Sequence, residues 1–129
     1  MQHGHWATLS ISFETALTRL PSALSDEGFG IITQIDLQAT LKEKLGVETG
    51  RYHIVGACNP TLAHKAVAND PTVGLLLPCN VVLHETPEGD VRMGVIDPTR
   101  TLGVDGGPEL QEVARDVEVR LLRVLEVMK

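Results

Sequence analysis

The chain has 129 residues, of which 43% are apolar and 22% charged, so it can form one soluble domain with its own core. Its net charge of −6 and aromatic share of 3% argue against a nucleic-acid surface, which needs basic patches and stacking rings. No apolar run approaches the ~20 residues of a membrane span, and the first residues do not resemble a signal peptide. Composition therefore predicts one domain over residues 1–129 that is cytoplasmic and binds neither nucleic acid nor membrane.

The first two elements follow from the spacing of apolar residues. In the stretch HWATLSIS every second residue is apolar, which is typical of a half-buried strand. Ser12 can cap the helix that follows, in which apolar residues recur at helical spacing over 13–24. Pro21 lies inside this run. We expect it to kink or end the helix near Leu20, because proline lacks an N–H and clashes with the preceding turn.

The middle of the chain repeats a strand–helix pattern. A strand is predicted from Phe29 to Ile35, and Asp36 and Gly46 are the residue types expected at the N-cap and C-terminal end of a short helix. The stretch RYHIVGA predicts a third strand. Asn59-Pro60 then has the pattern of an N-cap followed by the first residue of a third helix.

The last part of the chain predicts a hairpin and a long helix. VGLLLPCNVVLHE is apolar at odd and even positions, which predicts a central strand covered on both faces, with a bulge or register change at Pro78. VRMGVID predicts the returning strand, and an apolar stripe over 110–128 predicts the last helix, which begins at Pro108. The order β-α-β-α-β-α-β-β-α predicts an α+β fold with helices on a mostly antiparallel sheet.

The two cysteines, Cys58 and Cys79, are each followed by asparagine. Cys58 comes just before a predicted helix start, whose positive end favours a thiolate that can act as a nucleophile or metal ligand. The alternative is a small buried residue, since free cysteine is among the most buried types. A reducing cytoplasm favours free thiols over a disulfide. The sequence places no correctly spaced base near Cys58, which argues against an enzymatic or redox role for this thiol.

Cys79 and Asn80 lie in the apolar run. Burial would raise the pKa of the Cys79 thiol and leave it inert. Asn80 is unusual in a strand and needs a hydrogen-bond partner, so it either braces the bulge at Pro78 or faces a ligand pocket with Cys79. If the strands of Cys58 and Cys79 are neighbours, the two thiols can approach each other.

A metal ion is one candidate ligand, with Cys58 and Cys79 as candidate donors. His64 is the nearest histidine in sequence, but it lies nearly two turns into the helix that Cys58 precedes. His5 lies near the N-terminus, so its position in the sequence does not restrict which other residues it can contact. Asp97, at a strand end in VIDP, either acts at a site or simply opens a turn.

A small anion is another candidate. The middle of the chain is locally basic, and the helix start at Asn59 offers free N–H groups. The alternative is a solvated helix surface. The basic residues concerned are Lys42, Lys44, Arg51, His64 and Lys65.

Four stretches of the chain resemble the domain of unknown function 302 family. They are GACNPTLAHKAV, VGLLLPCNVVLHE, DEGFGIITQIDLQATLKEKLG and VIDP. The resemblance runs from about Ser10 to the last helix. It implies a small bacterial or archaeal α+β domain whose antiparallel sheet is like half of the TATA-box-binding protein, without implying DNA binding. The family has no established activity, so the resemblance assigns no functional residue. Pro21 departs from the family pattern.

Three hypotheses follow. The first is a binding or sensing domain that holds a metal ion, a small anion or a sulfur-containing ligand near Cys58, Asn59, Cys79, Asn80 and His64. The second is a thiol-dependent enzyme or redox protein that uses Cys58. The third is a structural or interaction module, a homodimer, whose cysteines only pack.

Overall fold

In the computed structural model, which describes residues 3–104 and 106–129, helices pack on a five-stranded antiparallel sheet. In chain order the elements are β1 (Gly4–Leu9), α1 (Phe13–Asp26), β2 (Gly30–Asp36), α2 (Leu37–Leu45), β3 (Tyr52–Cys58), α3 (Pro60–Asn69), β4 (Cys79–Glu85), β5 (Val91–Ile96) and α4 (Pro108–Met128). Short 3-10 helices cover Pro71–Leu76 and Pro98–Arg100. The strand order is β1-β5-β4-β3-β2, with antiparallel neighbours throughout. The predicted α+β class and element order are confirmed.

The core lies between one face of the sheet and the helices. In β4, Cys79, Val81 and Leu83 are buried, whereas the alternating Asn80 and Val82 are exposed or half-buried. Helix α4 is the main cover, because its inward stripe buries eight side chains along its length. The predicted central position of β4 is confirmed, but the prediction that β4 is covered on both faces is wrong.

Helix boundaries follow the predicted caps. Ser12, Asp36 and Asn59 each accept a hydrogen bond from a backbone N–H in the first turn of their helix. Gly46 ends α2 in the left-handed conformation, with φ 68°. Helix α1 does not end near Leu20. It continues through the solvent-exposed Pro21 to Asp26. Because proline has no N–H, the helix forgoes one internal backbone hydrogen bond at this position.

The segment before β4 differs from its prediction. Pro71–Leu76 forms a 3-10 helix that begins at Asp70, whose carboxylate accepts from the N–H of Thr72. Its apolar residues include Leu75, which is 91% exposed, so the apolar run there does not mark a strand. Pro78 precedes β4 after a cis peptide bond and makes no bulge inside it. The register shift of this sheet lies in β2, between Ile31 and Thr33.

The helices in the described part of the chain include none that is both long and apolar enough to cross a membrane.

Candidate functional site

Strands β3 and β4 bring the two cysteines to one place. Ala57 pairs with Cys79 in the antiparallel register, and Cys58 follows as the last residue of β3. Strict alternation would put Cys58 on the face opposite Ala57. However, the chain turns into α3 at this point, and Cys58 and Cys79 line the same pocket as free thiols. The condition under which the two thiols could approach each other, that β3 and β4 are neighbouring strands, is therefore met.

The pocket that contains them has a volume of about 250 Å³. It lies between the end of the sheet and helices α3 and α4. Its apolar walls are Phe29, Ile32, Ala57, Leu62, Ala63, Ala66, Leu77, Pro78, Leu102, Val113 and Val117. We refer to this space as the cysteine pocket. Walls of this composition favour an uncharged ligand or the apolar part of one.

The environment of Cys79 disfavours its thiolate form. Burial raises the pKa of the Cys79 thiol to about 11, with a further contribution from the neighbouring Cys58. Cys79 is therefore protonated at neutral pH. Among residues 3–104 and 106–129, no histidine, lysine, arginine or carboxylate lines the pocket. Cys58 thus finds no base or cation among the described walls of the pocket, and this geometry gives little support to a thiol nucleophile.

Asn59 forms part of the pocket wall, and both the oxygen and the nitrogen of its side-chain amide are hydrogen-bonded within the fold. Its Oδ1 accepts a hydrogen bond from the N–H of Leu62 at 3.2 Å, and its Nδ2 donates to the carbonyl oxygen of Glu27 at 3.4 Å. Asn59 thereby ties the start of α3 to the turn between α1 and β2. That turn contains Gly28, whose φ is +85°, and a Cβ there would lie 2.9 Å from Asn59 Nδ2. The role of Asn59 in the fold accounts for its burial.

Asn80 lies on the more exposed face of the sheet, away from the cysteine pocket. It borders a shallow depression of about 160 Å³ together with Trp6 and Val82. The alternative in which Asn80 faces a pocket with Cys79 is therefore wrong, because one step along a strand reverses the side-chain direction.

His64 is exposed on α3 and lines a different groove, which it shares with Lys65, Glu109 and Asp116. The structure does not bring it to the cysteines. Joint ligation of one metal ion by Cys58 and His64 is not supported by this arrangement.

The basic residues of the middle segment do not converge on the start of α3. Lys42 pairs with Glu48 at 3.1 Å, and Arg51 pairs with Glu14 and with Glu85. Lys42 and Arg51 thus already face carboxylates, and His64 and Lys65 share a groove with Glu109 and Asp116, so the geometry does not favour a small anion bound by this group.

The walls of the cysteine pocket were only partly predictable from the amino-acid pattern. Val113 and Val117 belong to the predicted stripe of α4, but the stripe alone does not show that they face a space. Ala63 and Ala66 of α3 indicate a pocket more directly than the stripe of α4 does. Small side chains beside two cysteines leave room that larger residues would fill.

Comparison with known proteins gives a family and a structural relative. The profile of a family described as a domain of unknown function, DUF302, matches residues 6–128. The crystal structure of an uncharacterized conserved protein DUF302 from Bacillus stearothermophilus is similar, with 29% sequence identity and a TM-score of 0.91 over 100% of both chains. No curated protein matches this sequence.

Proposed function

The chain belongs to the DUF302 family, and from this premise we propose that it is a small binding domain whose ligand is an uncharged, mostly apolar molecule held in the cysteine pocket. One observation carries the proposal: the pocket of about 250 Å³, whose described walls are apolar apart from Asn59 and two free thiols.

The pocket is partly open to solvent, so its apolar walls lack the packing partners that fully buried side chains have. Small-molecule pockets begin at ~300 Å³, close to the volume found beside Cys58 and Cys79. A ligand of matching shape would recover these contacts without desolvating any charged side chain of the described walls.

The thiols narrow the class of ligand. Sulfur is polarizable and makes favourable contacts with aromatic rings and other soft groups, while a protonated thiol is only a weak hydrogen-bond donor. We therefore place a sulfur-bearing or aromatic end of the ligand against Cys58 and Cys79. Free thiols persist in reducing compartments, which supports a cytoplasmic location for this activity.

A heteronuclear NMR titration with benzothiophene and indole tests the proposal, because these two rings have nearly the same shape but differ in sulfur versus N–H. We expect benzothiophene to bind more tightly and to shift the resonances of pocket residues. Cys58→Ser should reduce the difference in affinity between benzothiophene and indole.

A pair of variants on α3 provides the matched control. Ala63→Leu adds bulk inside the pocket and should weaken benzothiophene binding at least ~10-fold, a loss of about 1.4 kcal/mol. Ala68→Leu adds the same bulk to an exposed position of α3 outside the pocket and should leave the affinity unchanged. Equal affinities for the two variants, or shifts confined to other surfaces, would contradict the proposal.

Homodimerisation is a second proposal, supported by a separate surface. β2 is an edge strand of the sheet, with Ile35 45% exposed, and α2 leaves Leu45 69% exposed. Edge strands with exposed apolar side chains readily pair with another chain. Sedimentation analysis of Ile35→Lys should show a shift to monomer, whereas Val127→Lys, at an exposed position of α4, should not. A wild-type protein that is monomeric at all concentrations would refute this proposal.

A further inference from the structure

We propose that His5, Asp97 and Glu118 bind a single divalent transition-metal cation of the zinc type. These residues come from β1, from the end of β5 and from α4, and they are separate from the cysteine pocket. Their donor atoms all lie within 4.8 Å of one another. The fold thus assembles a mixed imidazole–carboxylate cluster from segments that are distant in sequence.

The distances suit a metal site after small adjustments. His5 Nε2 lies 2.9 Å from Glu118 Oε2 and 4.0 Å from Asp97 Oδ2. Ligand atoms bound to zinc at ~2.0–2.2 Å in a tetrahedral shell are ~3.4 Å apart. Each donor would therefore move by less than ~1 Å to enclose a cation.

Asp97 is positioned in advance by the backbone that follows it. Its side chain is 8% exposed, and its Oδ1 accepts hydrogen bonds from the N–H and hydroxyl of Thr99 at 3.0 and 2.6 Å. These bonds fix the carboxylate and leave Oδ2 on the side of His5. Hydrogen bonds of this kind commonly orient the carboxylate ligands of metal sites.

The charges of the cluster also fit a dication. Asp97 and Glu118 are two carboxylates in a partly buried place, and His5 can neutralise at most one of them. Arg100 Nε lies 3.3 Å from Asp97 Oδ2, but its side chain is 67% exposed, so this ion pair is weak. Imidazole together with carboxylate favours zinc and its neighbours over Mg²⁺ or Ca²⁺.

Space beside the cluster would complete the coordination shell. Glu118 and Thr99 also line a pocket of about 360 Å³, together with Gly103, Gln111, Ala114 and Arg115. Water could enter from this side. Three protein ligands with an open position are the usual arrangement of zinc sites that act on a small molecule.

The competing interpretation is a hydrogen bond between His5 and Glu118 that only joins β1 to α4. Isothermal titration of the chelator-treated full chain with Zn²⁺ separates the two interpretations, with elemental analysis to count the bound metal. We expect one equivalent of zinc for the wild type. His5→Gln and Asp97→Asn should each weaken binding at least ~10-fold, since loss of a supporting residue alone costs 10- to 100-fold.

The variants are chosen to keep the fold. Asparagine caps a helix as well as aspartate does, so Asp97→Asn retains the hydrogen bonds with Thr99. His53→Gln, on β3 and away from the cluster, is the histidine control and should bind zinc as the wild type does. Arg100→Gln should bind zinc at least as tightly as the wild type, because the weak ion pair with Asp97 Oδ2 is not needed to position the carboxylate.

Cys58→Ser separates this site from the cysteine pocket and should leave zinc binding unchanged. Three outcomes would overturn the assignment. They are no saturable binding by the wild type, binding that His5→Gln and Asp97→Asn both retain, and binding that depends on Cys58. Co²⁺ provides a second readout, since its visible absorption bands should appear with the wild type and disappear with His5→Gln.

Discussion

The thiol of Cys79 provides a direct test of the desolvated environment at the cysteine pocket. Burial raises its pKa from 9.0 to about 11. The folded protein therefore holds this proton more strongly than the unfolded chain does. Its contribution to stability is complete below pH 9 and is lost as the pH rises from 9 through 11, because only the unfolded chain then gains from ionisation.

The size of the effect follows from the shift. Each pKa unit corresponds to ~1.36 kcal/mol, so the full loss is roughly 3 kcal/mol, and most of it occurs by pH 11. Urea unfolding at pH 8, 9, 10 and 11, under reducing conditions, measures it as the difference in the free energy of unfolding between the wild type and Cys79→Ala. Other titrating groups are common to both proteins and cancel. The free energy of unfolding of the wild type minus that of Cys79→Ala should decrease by this amount as the pH rises.

Cys58→Ala is the control for the neighbouring thiol. Because burial is the larger cause of the shift, most of the pH dependence should persist in this variant. If the stability curves of the wild type and Cys79→Ala run parallel from pH 8 to 11, Cys79 is not desolvated in solution. The apolar character of the cysteine pocket would then be refuted as well.

Three further predictions concern the same fold. At pH 8, alkylation of Cys79 in the folded protein should be at least ~100-fold slower than in urea, because the two-unit shift reduces the thiolate population by that factor; comparable rates would contradict the burial of Cys79. Gly94→Ala should cost ~1–3 kcal/mol of stability and shift the fluorescence of Trp6, because a Cβ would lie 2.7 Å from the indole ring. Gly30→Ala, which has nothing within 4 Å, should change stability by less than ~1 kcal/mol, and equal effects of the two would refute this reasoning. Asn59→Ala should destabilise by ~1–2 kcal/mol through loss of the α3 cap, whereas Asn59→Ser retains an acceptor and should cost less, as thermal unfolding would show.

What could be predicted from the sequence depended on local chemistry. The caps at Asp36 and Asn59 were predictable because each cap bonds to a backbone group within three residues. The segment 71–78 was not, since an apolar run without periodicity fits a buried strand as well as an exposed 3-10 turn. Leu75 shows that such a run can face solvent.

The site depended on pairings that no local pattern encodes. Cys58 and Cys79 could be named as candidates, but their meeting in one pocket follows from the register of β3 against β4 and from the turn into α3. The position of Asn80 followed from the same register, which puts it opposite Gly56. Glu118 carried no signal at all, because an acidic residue on a long helix is usually just solvated.

Helix α4 joins the two proposed sites. Val117 lines the cysteine pocket, and the next residue, Glu118, belongs to the cluster with His5 and Asp97. Successive residues of a helix diverge by ~100°, so the two side chains leave α4 in different directions while sharing one backbone. If a bound cation shifts the backbone of α4 at Glu118, the wall formed by Val117 shifts with it. Linkage then requires that zinc and the pocket ligand alter each other's affinity by the same factor.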